Sequence, residues 1–422
     1  MIDTKQRDRL RELASQWVEF ASMPVMKTRR DGWRNIKDLK NTTPMILVET
    51  CMLSDYIGED ELVNTDPYLR NIEKSLFEQV RHAQEIGDDI VLEPFFQIEW
   101  EIEESGYGVS LEAHHATAEN GSDVGYDFEF GIQSEDDFAK LKHRERAVDR
   151  EKTQQNKALL EGIFGDILPI KIGGYDNFDL QPGYSPWLGN FFNGLTMDLF
   201  KMVGNDNLLF WMYDKPEYIH KLMRFIADDR IARYAWLEQE GLLYVNKGTY
   251  NPCPGSYGFV SDLPDKTEDV TRKDCWVWTE SQESEPMSPD MFKEFFLPYM
   301  KQACEPFGLA YYACCERVDD RLEHVAQAIP NLRAVSVSGW SDLFKVGDMC
   351  AGKYVYSRKP TPAYISGKYP DWDRLEKDVA DTLEGAKDCS LEFCFRDIYT
   401  IDGERERLSR WTSMVREQIG NS

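Results

Sequence analysis

The sequence predicts an α/β protein: a (β/α)8 barrel with a helical extension at its amino end and insertions between strands. Three observations point there. From about residue 270 to the end, short β-prone runs alternate with helical patterns, which argues for parallel strands joined by right-handed crossovers. Apolar runs at 45–49, 90–97, 167–172, 275–280, 309–315, 332–337, 354–356 and 390–395 number about eight, the count a barrel needs. Several of them end in carboxylates, thiols or hydroxyls, at the carboxyl end where barrel sites are built. A doubly wound open sheet is the other fold that this alternation allows.

A chain of 422 residues with 42% apolar content is long enough for one large barrel and its core. The expected organisation is an extension over 1–40 and one barrel over 41–422, with insertions near 99–135 and 242–270. Basic residues number 49 against 75 acidic ones, and the net charge of −26 argues against nucleic acid or an anionic membrane as partner. The polar start Met1-Ile-Asp-Thr-Lys-Gln-Arg-Asp lacks a signal-peptide core, and no apolar run approaches a membrane span, so the expected location is cytoplasmic. Nine cysteines, an odd number spread over a large chain, read as reduced thiols. No His-x-x-x-His pair is present, and G-x-x-x-x-G-K-[ST], G-x-G-x-x-G and G-x-S-x-G are all missing, so zinc-protease, nucleotide and serine-hydrolase motifs lose support.

In chain order, Leu10, Leu13, Trp17 and Phe20 give 4–21 a helical face. Pro44-Met-Ile-Leu-Val-Glu49 reads as a buried first strand, 67–86 as helix, and Ile90-Val-Leu-Glu-Pro-Phe-Phe-Gln97 as a second strand. The acidic stretch from 99 to 135, with His114-His115, reads as a hairpin-rich insertion. A helix over 149–163 leads to the strand Ile167-Leu-Pro-Ile-Lys-Ile-Gly-Gly174, and helices follow at 192–203 and 215–239. Leu242-Leu-Tyr-Val-Asn246 is a ninth strand-like run, assigned to an insertion. Strand 274–283 ends in Glu280, Gln282 and Glu283, and Ser288-Pro-Asp opens an aromatic helix. Helices at 318–328, 341–350, 371–386 and 403–419 alternate with the last three strands.

The chemistry gathers around Leu309-Ala-Tyr-Tyr-Ala-Cys-Cys-Glu-Arg-Val318. Strand alternation places Tyr312 and Cys314 on one face and Tyr311, Ala313 and Cys315 on the other. The barrel rim would gather Glu49, Glu93, Glu280, Gln282, Cys314, Cys315, Glu316, Ser338, Trp340, Arg358 and Cys394. Thiolates with a carboxylate suit zinc, and Cys394 could add a ligand from across the mouth. Glu280 and Glu316 are candidate acid/base groups, since burial raises a carboxyl toward neutrality. Against these readings stand core thiols and ordinary ion pairs to Arg317, Arg321 or Arg358.

The segments Trp276-Val-Trp-Thr-Glu-Ser-Gln282, Phe295-Phe-Leu-Pro-Tyr299, Tyr312-Ala-Cys-Cys-Glu316, Val335-Ser-Val-Ser-Gly-Trp340 and Tyr354-Val-Tyr-Ser-Arg-Lys-Pro360 resemble, in this order, the uroporphyrinogen decarboxylase superfamily. That superfamily includes the cobalamin-dependent methyltransferases of anaerobic one-carbon metabolism. The resemblance is clearest from about 270 to the end and implies one barrel with its site in the mouth. The porphyrinogen decarboxylases use arginines near the first strand, which Pro44-Met-Ile-Leu-Val-Glu-Thr50 lacks. The methyltransferase branch holds zinc on a His-x-Cys motif and a distant Cys, matched here by Tyr312-Ala-Cys314 and Cys394, with Cys315 or Glu316 in place of the histidine.

The expectation from this resemblance is a methyltransferase that moves a methyl group between a small O-, N- or S-methyl compound and a corrinoid carried by a separate protein. Zinc would sit on Cys314, Cys394 and Cys315 or Glu316. Glu280 would assist proton transfer, with Glu316 as the second acid/base group. Trp278, Tyr250 and Tyr312 would shape the substrate pocket, with Gln282 and Arg358 beside them. Two other expectations stand next to it: a metal-free lyase for a small carboxylic acid, with Arg358 or Arg317 in the mouth, and a non-enzymatic small-molecule or corrinoid-binding barrel. A homodimer is the expected assembly.

Overall fold

The computed structural model describes residues 3–111, 113–117, 123–174, 191–249 and 255–421. The chain starts with two helices, α1 (Thr4–Ala21) and α2 (Pro24–Lys37). Asp3 caps α1 by accepting the N–H groups of Lys5 and Gln6, and Pro24 opens α2 with its ring-fixed φ. The sequence spacing predicts α1 and gives no account of α2, whose apolar positions are few: Met26, Trp33 and Ile36.

Nine short strands run through the body: β1 (Met45–Val48), β2 (Phe96–Ile98), β3 (Ile170–Ile172), β4 (Phe192–Asn193), β5 (Trp276–Thr279), β6 (Leu309–Tyr312), β7 (Leu332–Val337), β8 (Val355–Arg358) and β9 (Ser390–Phe395). Seven of them form one sheet in the order β1-β9-β8-β7-β6-β5-β4, every neighbouring pair parallel. β2 and β3 pair in parallel as a separate ladder. The architecture is therefore α/β with a seven-stranded parallel sheet, and no ladder among the described residues closes it into a barrel. Two antiparallel pairs, Ile102–Glu104 with Arg146–Val148 and Ala113–Thr117 with Asp123–Phe128, stand apart from it.

The run at 90–97 does not pair with β1, and side chains explain why. Asp89 Oδ2 accepts the Ile46 N–H at 2.9 Å and Asp88 Oδ2 accepts the Val48 N–H at 2.8 Å. Two carboxylates thus take the backbone donors that a neighbouring strand would use. Regular pairing resumes only at Phe96. The expected strand at 242–246 is irregular, and the expected helix start at 192 is instead the two-residue β4.

Helices α3 (Pro67–Glu85), α4 (Arg150–Phe164), α5 (Leu195–Asp214), α6 (Pro216–Gln239), α7 (Pro289–Phe295), α8 (Leu297–Cys304), α9 (Leu322–Ala328), α10 (Leu343–Cys350), α11 (Trp372–Gly385) and α12 (Glu406–Asn421) complete the body. Strand alternation splits the apolar side chains into two buried clusters. Val277, Ala310, Tyr312, Val335 and Phe393 face α5 to α12. Trp276, Trp278, Tyr311, Ala334 and Val355 pack with α1, α2 and α3. We call the second set the inner face. Burial on both faces is what parallel sheets require. Among the described residues no helix is long and apolar enough to cross a membrane.

The inner face holds an ion pair that ties α2 to the sheet. Lys37 Nζ donates to Glu392 Oε2 at 2.6 Å and to Ser256 Oγ at 2.8 Å, and Ser256 Oγ donates to Glu392 Oε1 at 2.7 Å. Burial alone would raise the Glu392 carboxyl, but Lys37 and Lys359 outweigh it and hold the group below its usual range. Glu392→Ala leaves Lys37 buried without its anion and is expected to cost about 3–5 kcal/mol in urea unfolding. The double variant Lys37→Met with Glu392→Leu is expected to recover most of that loss.

Candidate functional site

A cavity of ≈560 Å³ lies at the carboxyl ends of β4 to β9. Trp278 forms one wall. Its ring lies 4.2 Å from that of Phe192 at 30°, and its Nε1–H donates to Ala313 O at 2.9 Å. Trp340 and Tyr399 stand at the rim, 73% and 58% exposed.

The acidic side of the cavity is built from the ends of β5 and β6. Glu316 is buried, and its carboxylate accepts the Ser281 N–H at 2.9 Å and the Cys314 N–H at 2.8 Å. Two hydroxyls, one in β7 and one just after it, fix the same loop: Ser336 Oγ donates to Cys314 O at 2.8 Å and Ser338 Oγ to Glu316 O at 3.1 Å. Glu316 is therefore a positioning residue, with both oxygens committed to backbone.

Glu280 differs. It lines the cavity and is 1% exposed. Its Oε2 accepts the Gln282 N–H at 2.8 Å, while its Oε1 has no hydrogen-bond partner. Burial first, then the nearby Glu283 and Glu316, push its pKa well above the ordinary carboxyl value. Burial also raises Glu316, against its two backbone donors, and raises Glu283, which accepts from Thr196 Oγ1 at 2.7 Å. With burial and the neighbouring carboxyls acting together, the charged form of Glu280, whose Oε1 is buried without a hydrogen-bond partner, is disfavoured.

The thiol side is organised by Arg396, just beyond β9. Its Nη1 lies 3.4 Å from Cys314 Sγ, its Nη2 donates to Asp397 Oδ1 at 2.9 Å, and Glu49 is 3.7 Å away. Burial works against this cation, but Cys314, Asp397 and Glu49 keep it charged. The Cys314 thiol is pushed up by the hydrogen bond it shares with Cys315 and by burial. Ala313 (φ 76) and Asp397 (φ 58) flank the site in the left-handed region, which L residues seldom adopt outside sites that impose it.

The sequence expectations fall in three groups. Trp278, Glu280, Gln282, Cys314 and Cys315 all line the cavity. Tyr312 does not: the left-handed turn at Ala313 breaks the alternation, so Tyr311 and Cys314 take the inner face while Tyr312 points to the helices. Arg358 is also elsewhere, paired with Asp378 and donating to Thr382 Oγ1 at 3.1 Å in the helical layer. Tyr250 lies outside the described residues. Arg396 and Asp397 were missed; their signal was a charged pair directly after the run 390–395. Ser336 and Ser338 were legible as an alternating pair in Val335-Ser-Val-Ser-Gly-Trp340.

The donor set does not fit zinc. Cys394 Sγ accepts the Ser357 hydroxyl at 3.8 Å, Glu316 is held by backbone N–H groups, and the Arg396 cation stands against Cys314. Among the described residues, no three His, Cys, Asp or Glu side chains are grouped to hold a metal ion.

Fold and site together define a parallel α/β protein with an acidic, thiol-bearing cavity at the carboxyl ends of its strands. Neither a family model nor a curated protein sequence matches the chain. Among solved structures it is similar to a methyltransferase from Methanosarcina mazei, at 13% identity over 66% of this chain and 74% of that one, with a TM-score of 0.36. A likeness at that level carries no argument about activity.

Burial raises the folded Glu280 carboxyl above its ordinary value of about 4.3, so its contribution to stability is complete below that value and is lost as pH rises toward the folded one. Glu280→Gln cannot ionise. As pH rises above about 5, the melting temperature of the wild type is expected to fall relative to the variant. Parallel profiles would contradict a raised Glu280.

Proposed function

We propose that this chain is an enzyme that removes a methyl group from a small O-, N- or S-methyl compound bound in the ≈560 Å³ cavity. The observation behind this reading is Glu280: a buried carboxyl in the cavity lining, with one oxygen that has no hydrogen-bond partner and a pKa pushed well above the ordinary value by burial. When a methyl group leaves as an electrophile, the heteroatom it leaves gains an electron pair and needs a proton. Glu280 supplies that proton at the developing anion, as a general acid of raised pKa does. Trp278 and Phe192 offer a flat apolar wall for the substrate body, and Glu316 holds the Ser281 and Cys314 backbone so that Glu280 keeps its aim.

The acceptor in this reading is a corrinoid on a separate protein, presented at the rim beside Trp340 and Tyr399. The proton, rather than a zinc ion, activates the leaving group. The barrel architecture belongs to the same reading, with β2 and β3 continuing the ring between β1 and β4.

A second reading has its own observation. Arg396 and Lys359 both line the cavity and could hold a carboxylate, which suits a lyase that decarboxylates a small acid and reprotonates it from Glu280. One assay separates the two. Purified protein is incubated with carbon-13-labelled methyl ethers, methylamines and thioethers plus reduced free cobalamin, and in parallel with carboxyl-labelled acids. Methylated cobalamin is expected, with a rate that falls roughly 10²–10⁴-fold in Glu280→Ala. Labelled carbon dioxide without methyl transfer moves the assignment to the lyase, and an unchanged rate in Glu280→Ala overturns the role of Glu280 in either.

A further inference from the structure

The sulfurs of Cys314 and Cys315 stand 3.6 Å apart at the cavity wall, and the proton donation by Glu280 uses neither of them. Cys315 is exposed and Cys314 buried, so one thiol meets a ligand while the other waits behind it. Their polar neighbours differ in sign. Arg396 Nη1 lies 3.4 Å from Cys314 Sγ, and Cys315 Sγ points its hydrogen at Asp397 Oδ2, 3.5 Å away. Exposure for attack and a resolving thiol within contact are features that mark exchange-active cysteines.

We propose that Cys314 and Cys315 form a thiol–disulfide exchange centre that takes a small organic disulfide from the cavity and closes as a disulfide between the adjacent residues. Cys315 loses its proton to water, and its thiolate attacks one sulfur of the disulfide. The sulfur–sulfur bond breaks, and the first small thiolate leaves and takes a proton from water. Cys314, beside Arg396, then attacks Cys315 Sγ. The mixed disulfide breaks, and the second small thiol leaves with the Cys314 proton. Two protein thiols are oxidised, and one disulfide is reduced to two thiols.

Adjacent residues hold their Cα atoms ~3.8 Å apart, short of the roughly 4.4–6.8 Å usual for a disulfide. The closed ring is therefore strained and readily reduced, as suits a reversible centre. Closure removes the Cys315 hydrogen bond to Asp397 and changes the shape of the cavity wall.

The test uses the reduced full-length protein with bis(2-hydroxyethyl) disulfide, followed by intact mass and peptide mapping. The expected product is a loss of two hydrogens on the peptide that contains both cysteines, reversed by dithiothreitol. Cys314→Ser is expected to stop at a stable adduct on Cys315. Cys315→Ser is expected to react at least about tenfold more slowly, and Cys51→Ser to behave as wild type. Wild type that stops at the Cys315 adduct, reacts through Cys51, or reacts no faster than Cys315→Ser overturns the proposal. None of these readouts involves methyl transfer, so this proposal and the demethylase reading fail separately.

Discussion

The site depends on one carboxylate. Glu316 accepts backbone N–H groups from Ser281, after β5, and from Cys314, after β6. Those two chain ends carry the groups with chemistry: Glu280 precedes one, and Cys314 and Cys315 belong to the other. A carboxylate that bridges two backbone donors fixes their separation more tightly than packing does, because each bond is directional and charge-assisted. The Ser336 and Ser338 hydroxyls, in β7 and just after it, brace the same loop. The order of causes therefore runs from the strands, through Glu316, to the acid and the thiols.

That arrangement accounts for the unequal fates of neighbouring carboxyls. Glu316 has two backbone donors and Glu283 has the Thr196 hydroxyl, whereas Glu280 has one backbone donor and a buried oxygen with no hydrogen-bond partner. In a wall with little solvent, the proton settles on the group that gains least from being charged. In the same cavity lining, Arg396 answers the charges of Glu49 and Asp397 and reaches the Cys314 sulfur.

Most of the regular architecture was legible in the sequence, since periodicity reports which residues are buried. The runs at 332–337 and 390–395 are strands β7 and β9 residue for residue, and the helix at 4–21 is α1. What escaped was set by single side chains and single dihedrals. Asp88 and Asp89 occupy the edge of β1, which no propensity reveals. A positive φ at Ala313 exchanges the faces of Tyr312 and Cys314, although nothing about alanine signals it. Arg358 ends a strand as a rim residue should, yet its partner Asp378 lies in α11 and draws it outward. Cysteines counted as zinc ligands on resemblance meet other partners: Arg396 stands against Cys314, and the Ser357 hydroxyl donates to Cys394.

The account turns on whether Glu280 carries a proton at neutral pH. The most direct measurement is the infrared difference spectrum between wild type and Glu280→Gln near pH 7, read in the region of the protonated carboxyl stretch. The account predicts a carboxylic-acid band in the wild type that is lost in the variant and shifts in heavy water. A difference spectrum with only an ionised carboxylate band would contradict it, and the cavity would then hold an anion where the proposed chemistry needs an acid.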